Sequence, residues 1–170
     1  MEVKIPEKEV VQAAQLGMDE FVGLFRDRIM EAVGGALTAE TLPRLTADQT
    51  TLVAYLIVRD EVMDGGFVQL IHNGYGPFIF LNPFAKAMDQ WGERDFRNLI
   101  YKGRTLYEKY GKALEHDCTD EEYMALYEQY PAFDDLDDAF VEMEEELTAR
   151  VAHYVDEHLE DFATIVREEE

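Results

Sequence analysis

The side chains of this sequence most able to act together chemically are the carboxylates of its last third. Residues 113–170 contain 21 Asp and Glu against two basic residues, Arg150 and Arg167, a net charge of −19, whereas residues 1–112 carry a net charge of only −3. Carboxylates at this density create a field that attracts cationic groups and repels anionic ones. The charge pattern therefore favours a basic protein surface as the partner and disfavours nucleic acid and anionic membranes.

A single long helix beginning near Asp134 would carry most of these carboxylates on one side. At 100° per residue, six apolar residues fall within an arc of about 80°, and five acidic residues between 138 and 160 fall within about 60° on the opposite side. The six are Leu136, Phe140, Met143, Leu147, Val151 and Tyr154. The eight carboxylates in residues 134–146 would occupy about 18 Å of helix, or roughly one charge per 2.3 Å, compared with about 1.7 Å in duplex DNA. The predicted helix thus approaches the charge density of nucleic acid.

We predict that nine carboxylates contact the partner. They are Asp134, Asp135, Asp137, Asp138, Glu142, Glu145, Glu146, Asp156 and Glu160. The alternative is a solvated helix face that only keeps an acidic domain soluble and has no specific partner. Solvated helices usually mix positive and negative residues. Because Arg150 is the one Lys or Arg between residues 134 and 161, the pattern favours binding.

A second unusual segment is residues 61–73, where Gly65 and Gly66 interrupt an apolar helical pattern. A glycine in a helix interior costs about 1 kcal/mol relative to alanine, so the pair predicts a kink or a close helix–helix approach. We expect the nearby polar side chains of Glu61, Gln69 and Asn73 to satisfy backbone groups freed at the kink. A small-ligand or metal site in this segment, with Asp64 and His72 added, is the alternative.

This segment resembles the signature of the bacterial DNA-mimic protein family, which reads approximately Glu-Val-x-Asn-Gly-Gly-Phe-x-Gln-aromatic-x-x-Asn. The matching residues are Glu61, Val62, Gly65, Gly66, Phe67, Gln69 and Asn73. Asp64 stands in place of Asn, and Leu70 in place of an aromatic residue. Residues 133–140 also resemble the Leu-Asp-Asp segment that precedes a long helix in the family, so the resemblance covers roughly residues 45–165.

The resemblance implies a compact, mostly α-helical domain without catalytic activity, and it allows a homodimer. It also implies a negative surface that occupies the DNA-binding face of a basic protein such as a transcription regulator. An immunity protein that neutralises a basic toxin is the alternative function, since the same charge would serve it.

The remaining patterns predict an all-α fold, a compact single-domain bundle of about six helices over residues 1–170. A first helix would follow Pro6 and end at Gly34 and Gly35. Capping boxes are expected at Thr46 and Thr119. In a capping box, the Thr side chain accepts a hydrogen bond from the backbone N–H three residues later, and the Glu or Gln side chain at that position accepts one from the backbone N–H of the Thr. Asn82 and Pro83 would open a helix reaching Tyr110, and the short apolar run at residues 78–81 is the one candidate strand.

Other kinds of chemistry find little support in the sequence. No two of the four histidines have the spacing of a metal pair on one helix face, and His153 with Glu157 would supply only two ligands. The chain contains no serine for a nucleophilic triad. We therefore predict no catalytic residue, no cofactor and no metal. The single cysteine, Cys118, fits a reducing compartment. With no signal-peptide pattern and no long apolar run, a cytoplasmic location is expected.

Overall fold

The computed structural model describes residues 2–168 and confirms the all-α prediction. In this part of the chain, nine α-helices are accompanied by one pair of three-residue strands. Backbone contacts group the described residues into two units. The first unit comprises residues 2–53 and 146–168, and the second unit comprises residues 54–145. A single domain over residues 1–170 stays a prediction.

The first unit begins with strand β1 (Lys4–Pro6), helix α1 (Glu7–Leu16) and helix α2 (Met18–Ala32). A 3₁₀ turn, Leu42–Arg44, leads into helix α3 (Ala47–His72), whose first residues belong to this unit. The end of helix α8 (Asp134–Glu157), helix α9 (Leu159–Phe162) and strand β2 (Thr164–Val166) complete it. The two strands pair in parallel, with Ile5 opposite Ile165.

The core of the first unit is built by apolar residues from both ends of the chain. Ile5, Phe25 and Phe162 are fully buried, and the rings of Phe25 and Phe162 meet edge to face with centroids 6.4 Å apart. The predicted capping box at the start of α3 is confirmed. The Gln49 amide donates to Thr46 Oγ1 at 3.1 Å, and the Thr46 amide donates to Gln49 Oε1 at 2.9 Å.

The second unit contains the larger part of α3 and four helices that follow it. These are α4 (Gly76–Phe80), α5 (Phe84–Gln90), α6 (Arg94–Leu114) and α7 (Asp120–Gln129). A 3₁₀ turn, Pro131–Phe133, then leads into the first half of α8. The core of this unit is a chain of aromatic contacts, in which Phe96 meets Tyr55 at 5.6 Å and Phe140 at 6.1 Å between ring centroids.

The helix count exceeds about six partly because two of the predicted helices are interrupted and partly because α4 and α9 are additional short helices. The first predicted helix is split by Gly17, whose φ of 139° lies outside the helical region. The helix predicted from Asn82 to Tyr110 is split into α5 and α6 by a turn. In this turn the Gly92 amide donates to the Asp89 carbonyl oxygen and the Glu93 amide to the Met88 carbonyl oxygen, an arrangement that commonly ends helices. The apolar run at residues 78–81 lies largely in α4, so no strand forms there.

Candidate functional site

Helix α8 begins at Asp134, where the sequence predicts the long acidic helix. Its start is fixed by Phe133, which is fully buried at the end of the preceding 3₁₀ turn. Asp134, Asp135 and Asp137 all lie in the first turn. Carboxylates at this position interact favourably with the partial positive charge of the helix N-terminus, which offsets part of their mutual repulsion.

Most acidic residues of α8 in the second unit are open to solvent. Five predicted partner contacts are exposed, namely Asp134, Asp135, Asp138, Glu142 and Glu145. Among residues 2–168, none of these five forms an ion pair with Lys, Arg or His. Their charge is therefore compensated by solvent ions rather than by the protein, and it is available to a cationic partner.

Glu144 on the same helix has a different environment. Its carboxylate lies 3.0 Å from the Arg59 guanidinium on α3, and the two side chains are only 16% and 19% exposed. The predicted partner contacts do not include Glu144. This ion pair joins two helices of the second unit, and it removes one carboxylate from the acidic surface.

The first unit carries three of the predicted contacts, Glu146, Asp156 and Glu160. All three are exposed, and Glu146 lies 4.0 Å from Arg150. Asp156 and Glu160 line an open groove of about 940 Å³ at the end of α8, which also contains Glu157, Asp161 and Arg167. Arg167 pairs with Glu7 at 3.2 Å. The groove is thus predominantly anionic, although its cation is already engaged.

The break in α3 lies at the predicted position and confirms the kink. Gly65 has φ −146° and ψ 17°, and Gly66 has φ 73° and ψ −177°. The second pair of angles belongs to a region that is essentially restricted to glycine. The break frees the backbone amide of Phe67, and Asp137 Oδ1 accepts a hydrogen bond from it at 2.8 Å. Asp137 therefore caps the second half of α3 from another helix.

The carbonyl group freed by the break is bound from α7. The Tyr127 hydroxyl donates to the Gly65 carbonyl oxygen at 2.7 Å, and the Tyr123 hydroxyl lies 2.7 Å from the Tyr127 hydroxyl. Asp137 and Tyr127 were not assigned to the break by the sequence. No local pattern marks them, because they lie 70 and 62 residues along the chain from their partners.

The polar residues of the segment bond one another rather than the freed backbone groups. Gln69 Nε2 donates to Glu61 Oε2 at 3.0 Å and to Asp64 Oδ2 at 2.9 Å, and Asn73 Nδ2 donates to Glu61 Oε2 at 2.9 Å. A Cβ at Gly65 would lie 2.0 Å from Gln69 Oε1, so the absence of a side chain there permits this packing. The segment therefore has a structural role, although the freed groups bond other residues than predicted.

The geometry does not support the alternative, a small-ligand or metal site in this segment. His72 Nδ1 lies 2.8 Å from the Leu114 carbonyl oxygen, and its ring centroid lies 4.8 Å from that of Tyr123. Across residues 2–168, no group of three or more His, Cys, Asp and Glu side chains is arranged to hold a metal ion. In the same range, no helix combines the length and hydropathy needed to cross a membrane.

Burial changes the acidity of Asp137 in this arrangement. The pKa of its carboxyl group is raised to about 6, mainly by burial; the hydrogen bond from Phe67 opposes this rise, and the neighbouring charges of Asp134 and Asp138 add to it. Of the nine predicted contacts, Asp137 is the one that is half-buried. It therefore differs from the others in its environment.

The α3 break and the acidic helix both lie in the part of the chain that matches known proteins. Residues 43–158 match the family described as DMP19-like protein. The chain belongs to the DMP19-like family. A relative in this family, the DNA mimic protein DMP19 of Neisseria meningitidis serogroup B (strain ATCC BAA-335 / MC58), is 35% identical over 127 residues, which cover 74% of this chain and 77% of the relative. The resemblance to the DNA-mimic family is thereby confirmed, and α1 and α2 lie outside the DMP19-like match.

Proposed function

We propose that this protein is a non-enzymatic DNA mimic that binds the basic DNA-binding surface of another protein, such as a transcription regulator. The observation that carries the proposal is the row of exposed carboxylates on α8 that form no ion pair within residues 2–168. Their linear density is within a factor of about two of that of duplex DNA. The similarity to a protein named as a DNA mimic supports the same function. Such a partner would place the interaction in the cytoplasm.

Eight side chains are proposed as direct contacts. In the second unit they are Asp134, Asp135, Asp138, Glu142 and Glu145, and in the first unit Glu146, Asp156 and Glu160. Asp137 is proposed instead as a residue of the α3 break, since its oxygen is bound to the Phe67 amide. A cationic partner surface would replace the solvent ions around these carboxylates. Its affinity should therefore increase as the salt concentration falls.

The experiment is competition with DNA. The protein is immobilised, DNA-binding proteins are captured from a bacterial lysate at low salt, and each captured protein is purified with its labelled DNA site. We expect the protein to displace that DNA in a fluorescence anisotropy titration. A partner that binds without losing its DNA would contradict mimicry, and a captured toxin that is inhibited without DNA competition would identify an immunity protein.

Two charge-reversal variants make the test specific for the acidic helix. The first carries Asp138→Lys, Glu142→Lys and Glu145→Lys, and should lose DNA displacement. The second carries Glu20→Lys, Glu31→Lys and Glu40→Lys, which change net charge equally at exposed positions preceding the family match. We expect the second variant to compete nearly as well as the unmodified protein. Equal losses in the two variants would show that net charge, not the surface of α8, determines binding.

A further inference from the structure

Asp137 occupies the point at which the acidic helix contacts the break in α3. Its Oδ1 accepts from the Phe67 amide at 2.8 Å, and a Cβ at Gly66 would lie 2.4 Å from its Oδ2. The carboxyl group is therefore enclosed on one side by the backbone of α3 and attached on the other to α8. It is the one predicted contact of α8 that belongs both to the acidic helix and to the interior packing of the second unit.

The ionisable groups around Asp137 are acidic. On its own helix, the charges of Asp134 and Asp138 raise the pKa of Asp137. Tyr127 on α7 is also nearby, since the charges of Asp137 and of Asp64 on α3 both raise the pKa of the Tyr127 hydroxyl. Among residues 2–168, no Lys, Arg or His forms an ion pair with Asp137. A positive charge supplied from outside the protein would therefore add to the Phe67 hydrogen bond in stabilising the ionised form of this carboxyl group.

We infer that Asp137 is a positioning residue beneath the acidic surface, and that it releases a proton when a cationic partner binds to that surface. The inference rests on the proposed function and adds a coupling between protonation and binding. Lys or Arg groups at Asp134 and Asp138 would cancel two negative charges that, in addition to burial, raise the pKa of Asp137. By reciprocity, ionised Asp137 must then bind the partner more tightly than protonated Asp137 does. Affinity should increase as the pH rises through the region around the pKa of about 6.

The experiment measures the proton directly. An oligo-arginine peptide is titrated into the protein at pH 6 in two buffers that differ in ionisation enthalpy, and the difference in the heat of binding gives the number of protons released. Since Asp137 is about half protonated at this pH, we expect release of up to about half a proton by this group. Asp137→Asn keeps an oxygen acceptor for the Phe67 amide and should remove this contribution.

Glu142→Gln is the matched control, because it removes the same charge from an exposed residue of the same helix whose charge is not among those that raise the pKa of Asp137. It should weaken binding and still release the proton. Binding of the peptide to the unmodified protein without proton release, or equal release by Asp137→Asn, would overturn this inference alone. Failure of the unmodified protein to bind the peptide would overturn the proposed function and this inference together.

Discussion

At the scale of single residues, Gly66 is the position with the strictest requirement. Its φ of 73° and ψ of −177° are essentially limited to glycine, and a Cβ there would meet the Asp137 carboxylate at 2.4 Å. We predict that Gly66→Ala lowers the free energy of unfolding by about 3 kcal/mol, measured by urea denaturation. Gly34→Ala is the control, because Gly34 has φ 77° but no atom within 4 Å of an added Cβ. It should cost about 1–2 kcal/mol, and an equal cost at both positions would mean that the contact with Asp137 contributes nothing.

Asp137 provides a second prediction at this scale, for the dependence of stability on pH. Its pKa of about 6 in the folded protein exceeds its ordinary value of 3.8, so the folded protein binds more protons than the unfolded chain between these values. The contribution of Asp137 to the free energy of unfolding must therefore decrease as the pH rises from about 4 to about 6. Relative to the unmodified protein, Asp137→Asn should gain stability across this interval, and Asp137→Ala should lose about 1–2 kcal/mol near pH 4. If the difference in the free energy of unfolding between Asp137→Asn and the unmodified protein did not change with pH, the raised pKa of the buried carboxyl group would be contradicted.

At the scale of elements, α8 has more negative charge than its own stability favours. Asp138 and Glu142 are separated by one helical turn, as are Glu142 and Glu145, and each pair of like charges costs about 0.2–0.5 kcal/mol. We predict that Glu142→Lys raises the free energy of unfolding by about 0.5–1 kcal/mol at low salt while weakening partner binding. The gain should disappear at high salt, and Glu40→Lys, in a segment outside the helices, should show none. Loss of stability in Glu142→Lys would mean that its carboxylate has a structural role.

At the scale of the whole molecule, the proposed function predicts that the placement of charge matters more for association than its total. Exposed carboxylates steer a cationic partner before contact, and salt screens this attraction beyond about 8–10 Å. We predict that the association rate, followed by stopped-flow fluorescence with the partner, falls at least tenfold between about 0.05 and about 0.5 M salt, while the dissociation rate changes little. The variant reversed at residues 138, 142 and 145 should lose this dependence, and the one reversed at 20, 31 and 40 should keep it. If salt changed only the dissociation rate, the affinity would depend on short-range contacts rather than on long-range attraction.

The sequence by itself determined the features that depend on neighbouring residues. The capping box at Thr46, the start of α8 at Asp134 and the break at Gly65 and Gly66 are all visible in it. Each of these signals involves residues within about one turn of helix, because helix periodicity and capping act over three or four positions. The charge pattern and the family resemblance were local in the same sense, since both are read from continuous segments.

Only the tertiary structure decided which distant residues meet these segments. It placed Asp137 on the Phe67 amide, Tyr127 on the Gly65 carbonyl oxygen and Glu144 against Arg59. It also paired β1 with β2 from opposite ends of the chain. Such contacts arise when separate helices and strands pack to bury their apolar faces, and no short sequence pattern records which polar groups that packing brings together. For this reason, Asp137 reads in the sequence as one more acid of a charged row and in the fold as the cap of another helix.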